Sequence, residues 1–114
     1  MKSIGRAAFY GCETLKSIVI PDSVKEIEAM AFRCCYGLTN VVIGKEVKKI
    51  GEEAFDCCEN IETVTFKGKV KGIDRNFFSS YKQVKALYTP AATMDYYKEI
   101  SWPLGNRVEE LHDK

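Results

Sequence analysis

Hydrophobic side chains recur along this chain at a constant step of 23 residues. Seven columns share the step, and each continues with an apolar residue one and two steps later; they begin at Ile4, Phe9, Cys12, Leu15, Ile18, Ile20 and Val24. A repeat this short cannot bury its apolar face alone, so neighbouring copies must cover it. The pattern therefore predicts a stack of copies in which identical side chains form ladders.

Each copy contains a helical spacing followed by an alternating one. Ala8, Phe9 and Cys12 predict a short helix over 5–12, with equivalents over 29–35 and 51–58. Alternation predicts four strands, over 16–20, 40–43, 62–66 and 85–89. Turn residues follow three of these strands, at Pro21, Gly44 and Pro90. A second extended piece then returns Val24, Val47 and Val70 to the core.

Copies begin at residues 4, 27, 50 and 73, and residues 1–3 align with the end of a preceding copy. We expect repeats over 1–90 and a C-terminal cap and tail over 91–114. Met94, Tyr97 and Ile100 place one apolar face on a capping helix over 91–100, with Trp102 and Leu104 covering what remains. The first copy is expected to be open, and to be covered by a neighbouring chain, by frayed packing or by further repeats of a longer parent.

The motif "IGxxAFxxCxxLxxIxIPxSVxx" resembles the 23-residue leucine-rich repeat of BspA-like surface proteins. The tail "LYTPAATMDYYKEISWPLGN" is similar to the C-terminal end of that family. The resemblance implies an α/β, right-handed leucine-rich repeat solenoid of about 3.5 repeats with a C-terminal capping helix. The sequence departs from the pattern at Glu28, where the family prefers Gly, at Cys34, where it often has Gly, at Cys57, and in the fourth copy at Phe77 and Tyr81.

The resemblance also implies a non-catalytic recognition or adhesion module of a cell-surface or secreted protein. Its partner would be a protein, of a host or of the extracellular matrix, or else a glycan. Net charge is +1, which gives no global field toward nucleic acid. No apolar run approaches the ~20 residues that would insert into a membrane. A homo-oligomer through the open first repeat is a further expectation.

Five cysteines raise the question of a metal or a disulfide. Cys12, Cys35 and Cys58 fall in an apolar column, where a packed thiol acts as a small hydrophobe. Cys34 and Cys57 would sit on neighbouring helices, whose axes lie about 8–10 Å apart, and that distance disfavours a disulfide. The cysteines lack the CxxC spacing of zinc sites, so no metal is predicted.

No other motif suggests catalysis. His112, the single histidine, lies in a charged tail that would not hold it against a nucleophile. Phosphate-binding loops and nucleophile elbows are missing from the sequence, so we predict no cofactor and no enzyme activity.

Two surfaces are candidates for binding. The outward positions of the four predicted strands form a weakly charged surface, made by Ser17, Val19, Asn40, Val42, Thr63, Thr65, Ala86 and Tyr88. A lysine-rich edge, partly compensated by Glu46, would make a weak polyanion binder; it comprises Lys45, Lys48, Lys49, Lys67, Lys69 and Lys71. β-branched residues also suit strands for their own sake, so a purely structural spacer remains an alternative function.

Overall fold

Two parallel β-sheets run through the computed structural model, which describes residues 2–73, 84–100 and 108–110. The strands within these residues are β1 (Lys2–Ile4), β2 (Ser17–Val19), β3 (Val24–Ile27), β4 (Asn40–Ile43), β5 (Lys49–Ile50), β6 (Thr63–Phe66), β7 (Gly72–Ile73), β8 (Ala86–Thr89) and β9 (Val108–Glu110). One sheet has the order β1-β3-β5-β7, and the other has the order β2-β4-β6-β8-β9. The chain therefore alternates between two sheets, as a solenoid does.

The register between neighbouring strands repeats the step of the sequence. Ile27 pairs with Ile50, and Ile50 pairs with Ile73. In the other sheet, Val41 pairs with Val64 in the same way. The four predicted strands that make up β2, β4, β6 and β8 are confirmed to within one residue at either end.

The core lies between the two sheets and consists of the predicted columns. The buried members of the second and third copies include Ile27, Phe32, Leu38, Val41, Ile50, Phe55, Ile61 and Val64. The first copy is less well covered: Ile4, Leu15 and Ile18 are only partly buried, and Phe9 keeps 38% of its surface exposed. The first copy therefore exposes apolar side chains at positions whose equivalents in the second and third copies are buried.

The three predicted short helices are wrong. Residues 5–12, 29–35 and 51–58 form successive tight turns, and the α-helix within the described residues is α1 (Met94–Ile100), preceded by a 3₁₀ turn (Ala91–Thr93). Successive backbone N–H groups in the turns donate alternately to a carbonyl of the same copy and to a carbonyl of the next copy. The Ala31 N–H donates to Glu28 O within the copy, whereas the Phe32 N–H donates across to Ala54 O at 2.8 Å.

The turns require backbone conformations that most residues avoid. Two positions in each of the first three copies have positive φ; they are Ala7 and Gly11, Met30 and Cys34, and Glu53 and Cys57. Positive φ at the third residue of a four-residue turn is the type II pattern, which favours Gly. Gly11 follows that preference, and Cys34 and Cys57 replace it 23 and 46 residues later. Helical spacing was misleading because these turns also bury residues at that spacing, such as Ala31, Phe32 and Cys35.

The C-terminal helix is confirmed and packs against the third copy of the solenoid. Tyr97 on α1 is fully buried and stacks on Phe66, with ring centroids 4.5 Å apart. Its hydroxyl donates to Gly68 O at 2.6 Å and accepts the Val70 N–H at 2.9 Å. The predicted positions Phe77, Tyr81, Trp102, Leu104 and His112 lie outside the described residues.

Candidate functional site

The outward residues of one sheet form two rows across its strands, and we call them together the strand face. The first row runs through Ser17, Asn40, Thr63 and Ala86. The second runs through Val19, Val42, Thr65 and Tyr88. The parallel pairing therefore brings all eight candidate residues onto one sheet in register.

Exposure differs along the two rows. Val19 exposes 61% of its surface, whereas Val42, Thr65 and Tyr88 are half-buried. Ala86 occupies its predicted row but is only 3% exposed, so it offers almost no contact area. The accessible part of the first row therefore ends at Thr63.

Hydrogen bonding orders the middle of the strand face. Thr63 Oγ1 donates to Asn40 Oδ1 at 2.6 Å, which fixes the amide of Asn40. The amide nitrogen of Asn40 keeps two N–H donors of its own. This pair gives the strand face a fixed polar group between apolar neighbours.

Sequence reasoning missed the last strand of this sheet. Strand β9 pairs with β8, and Glu109 lies beside Tyr88 at the end of the second row. Glu109 is exposed and adds a negative charge to a row that is otherwise uncharged. The repeat pattern gives no signal for β9, because this strand follows the capping helix and has no counterpart 23 residues earlier in phase with it.

The strand face is bordered by the residues that immediately precede its strands β2, β4, β6 and β8. These residues are Lys16, Thr39, Glu62 and Lys85, and three of the four are charged. Thr39 Oγ1 donates to Lys16 O at 3.1 Å, and the Lys85 ammonium lies 3.7 Å from a Glu62 carboxylate oxygen. These groups are exposed and mix both signs of charge. They mark where the weakly charged surface stops.

The lysine edge is partly neutralised. All six of its lysines are exposed, but Lys49 lies 3.9 Å from Glu26, and the Lys69 ammonium lies over the Tyr96 ring, 4.6 Å from its centroid. Glu46 bonds the Lys25 ammonium at 2.6 Å. The hydrogen bond and charge of Lys25, with smaller contributions from Lys48 and Lys45, lower the pKa of Glu46. The Glu46 carboxylate therefore compensates three lysines at once.

The inward cysteines are packed thiols. Cys35 Sγ donates to Phe9 O at 3.2 Å, and Cys58 Sγ donates to Phe32 O at 3.0 Å. Burial raises the pKa of Cys58 to about 12 and that of Cys35 in the same direction. Both groups are therefore held in the protonated, poorly nucleophilic form.

Cys34 and Cys57 lie together at the outside of the turns. Each is half-buried, and no disulfide joins Cys34 to another residue. The Cys57 thiol lies 3.7 Å from Asp56 Oδ2, which also accepts a hydrogen bond from Arg33 Nε at 3.2 Å. Burial, the Asp56 carboxylate and a hydrogen bond with Cys34 raise the pKa of Cys57.

The remaining features of the described residues concern a groove, metal binding and membrane insertion. A shallow groove beside β5 is lined by charges of both signs, including Arg6, Glu28, Lys49 and Glu52. Across the described ranges, no three His, Cys, Asp or Glu side chains are grouped closely enough to hold a metal ion. Within those same ranges, α1 is too short to cross a bilayer and no other helix is long and apolar enough to do so.

These features define the chain as a repeat solenoid with parallel strands in register. The family model described as "BspA type Leucine rich repeat region (6 copies)" matches residues 1–100. The chain therefore belongs to the BspA-type leucine-rich repeat family, as the motif indicated.

A solved structure supports the same fold. The chain is similar to the structure titled "The Crystal structure of Pneumococcal vaccine antigen PcpA", with 19% identity and a TM-score of 0.68. The similarity covers 100% of this chain and 28% of that chain, so this sequence spans only part of the length of its structural relative. No curated protein matches the sequence. At this level of identity the likeness shows the fold alone.

Proposed function

We propose that this chain is a non-catalytic protein-recognition module, and that it binds through the strand face. The observation that carries the proposal is the second row, in which Val19, Val42 and Thr65 stand in register on adjacent strands. Side chains in such a row sit about 4.8 Å apart on a hydrogen-bonded frame. Little ordering entropy would be lost on binding, because the frame already fixes their positions.

The chemistry of the row suits a protein partner. Val19 presents an exposed apolar side chain, and Tyr88 supplies an aromatic group of the kind enriched at interface hot spots. Asn40 offers amide donors at a fixed position, held by Thr63. An apolar patch with a few fixed polar groups is typical of protein-binding surfaces.

Family membership supports a location at the cell surface or outside the cell, and we extend the proposal to that location and to an adhesive role. The partner would be a host or matrix protein, with a glycan as the second candidate. Phe9 of the first repeat is partly exposed, and this apolar surface would also allow two molecules of the protein to associate.

The test is a pull-down from host-cell and bacterial surface extracts. The double variant Thr65→Lys/Tyr88→Ala adds a charge to the strand face and removes its aromatic group. Its matched control is Thr14→Lys/Tyr10→Ala, which makes the same exchanges at exposed residues of the first copy's turn segment. Both variants should keep the circular dichroism spectrum of the parent.

A partner retained by the parent and by the control, and lost by the strand-face variant, would support the proposal. Equal capture by all three proteins would overturn the assignment of the site, and no capture by any of them would favour a spacer role.

A second function has one specific observation in its favour. Lys48 and Lys71 of the lysine edge precede the paired residues Lys49 and Gly72 on adjacent strands, and the Lys48 N–H donates to Lys25 O at 2.8 Å in the preceding copy. A ladder of ammonium groups on the lysine edge would attract a sulfated or phosphorylated polymer. Binding through it would weaken steeply with added salt, whereas strand-face binding would be nearly independent of salt.

A further inference from the structure

Cys34 and Cys57 occupy the same position in neighbouring copies of the turn. Their φ angles are 63° and 61°, and the Cys34 N–H donates to Asp56 O at 2.9 Å. The same amide-to-carbonyl step links Phe32 to Ala54, so the two turns run in parallel register. The two cysteines are therefore direct neighbours across the stack.

The spacing between the turns is that of strands rather than helices. The rings of Phe32 and Phe55, which lie in the same turns, are 5.1 Å apart at their centroids and nearly parallel. Residues paired in this way have Cα atoms about 5 Å apart. A disulfide needs Cα atoms about 4.4–6.8 Å apart, so the backbone spacing is suitable. The expectation against this pair rested on helices that the structure does not contain.

Accessibility separates this pair from the other cysteines in register. Cys35 and Cys58 are buried and direct their thiols to backbone carbonyl groups of the preceding copy. Cys34 and Cys57 are half-buried, and they lie on the outside of adjacent turns whose backbones are hydrogen-bonded to each other. An oxidant in solution can therefore reach the outer pair and not the inner one.

We propose that Cys34 and Cys57 form a redox-modification site, at which a low-molecular-weight disulfide such as oxidised glutathione links them reversibly. One cysteine thiolate attacks the glutathione disulfide, forms a mixed disulfide and releases one glutathione thiol. The other cysteine then attacks the mixed disulfide and releases the second glutathione. Two thiols are oxidised, one external disulfide is reduced to two thiols, and the two cysteine protons end on the released glutathiones.

The link would staple two successive turns at positions where Gly would otherwise be preferred. Directly opposed residues in parallel register hold their Cβ atoms slightly farther apart than a relaxed disulfide does, so the turns must approach each other a little. Such a bond is reducible, which suits a reversible modification better than a permanent structural bridge.

The experiment treats the reduced full chain with oxidised glutathione under native conditions. Intact mass and thiol titration before and after treatment give the number of thiols consumed, and a non-reducing gel separates internal links from links between chains. We expect a monomer that has lost two thiols, regains them with dithiothreitol, and melts roughly 10 °C higher in the linked form.

Variants assign the link. Cys34→Gly and Cys57→Gly should each abolish it and remain folded, because Gly11 holds the equivalent position at φ 72° in the first copy. Cys12→Ala and Cys35→Ala are the matched controls and should leave the loss of two thiols unchanged. A link that persists in either glycine variant, a stable glutathione adduct, a disulfide-linked dimer or an unchanged thiol count would each overturn the proposal.

Discussion

Tyr97 lies against Phe66 with their rings stacked at 18°, and this contact joins the capping helix to the third copy of the solenoid. The phenol ring continues a ladder of apolar side chains that the repeats begin. Its hydroxyl accepts the Val70 N–H and donates to the Gly68 carbonyl. The cap thus satisfies both apolar and polar groups at this end.

Removing only the hydroxyl of Tyr97 should destabilise the chain. Tyr97→Phe leaves the Val70 N–H and the Gly68 carbonyl without their bonds to this hydroxyl, which should lower the free energy of unfolding by about 2–3 kcal/mol. Tyr96→Phe is the control, since it loses one bond, to Val70 O, from a half-buried hydroxyl and should cost about 1 kcal/mol. Urea denaturation measures both; equal losses would contradict the cap described here.

The phenylalanine ladder predicts a position-dependent cost of truncation. Phe32 is fully buried between the rings of Phe9 and Phe55, so Phe32→Ala should lose about 3–5 kcal/mol. Phe9→Ala, at the exposed end of the ladder, should lose about 1–2 kcal/mol. Thermal melts of the two variants would rank them, and a larger loss at Phe9 would mean that the first copy is better covered than this structure shows.

Glycine should stabilise the turn at Glu53, because the positive φ of this residue favours glycine. Glu53 has φ 57°, a conformation that costs a non-glycine residue about 1–2 kcal/mol. Glu53→Gly should therefore raise the free energy of unfolding by roughly 0.5–1 kcal/mol, after the entropy that glycine loses on folding. Glu52→Gly, at the neighbouring residue without positive φ, should lower it by a similar amount. The same urea titration compares them, and a loss in both variants would refute the strain argument.

Glu46 should titrate at lower pH than an ordinary glutamate. The Lys25 ammonium lowers its pKa in the folded state, so the stability it provides is present above the unfolded pKa and is lost as pH falls through the lower, folded value. Carbon-detected NMR of the carboxyl group follows this directly. In Lys25→Met the midpoint should move back toward the ordinary value; an unchanged midpoint would show that the 2.6 Å contact is not maintained in solution.

Sequence periodicity predicted the solenoid because each of the seven apolar columns indicates independently that residues 23 positions apart are neighbours. Ile27, Ile50 and Ile73 pair as their spacing indicated. The turns could not be predicted in the same way, because a helix and a series of tight turns both bury residues at the spacing of Phe32 and Cys35. Only Gly11 hints at the left-handed backbone, and cysteine replaces it in the next two copies.

The eight candidate residues of the strand face were placed on one sheet by alternation alone, and their role in binding stays a prediction. Their exposure could not be read in the same way. Ala86 is buried, and Glu109 joins the row from a segment with no repeat signal. Both differences arise near the cap. There, the neighbours of a residue include segments that come after the repeats and do not follow their periodicity.

The bonds that join neighbouring copies are local in sequence. The backbone hydrogen bonds that join copies, such as Ala7 to Ala29, Thr39 to Lys16 and Gly51 to Ile27, connect residues only 22 to 24 positions apart. Insertion or deletion of a whole copy would therefore give every remaining residue an equivalent neighbour above and below. Recombination in steps of 23 residues could lengthen or shorten such an array while its two ends stay unchanged, so reach and binding area can evolve independently of the fold.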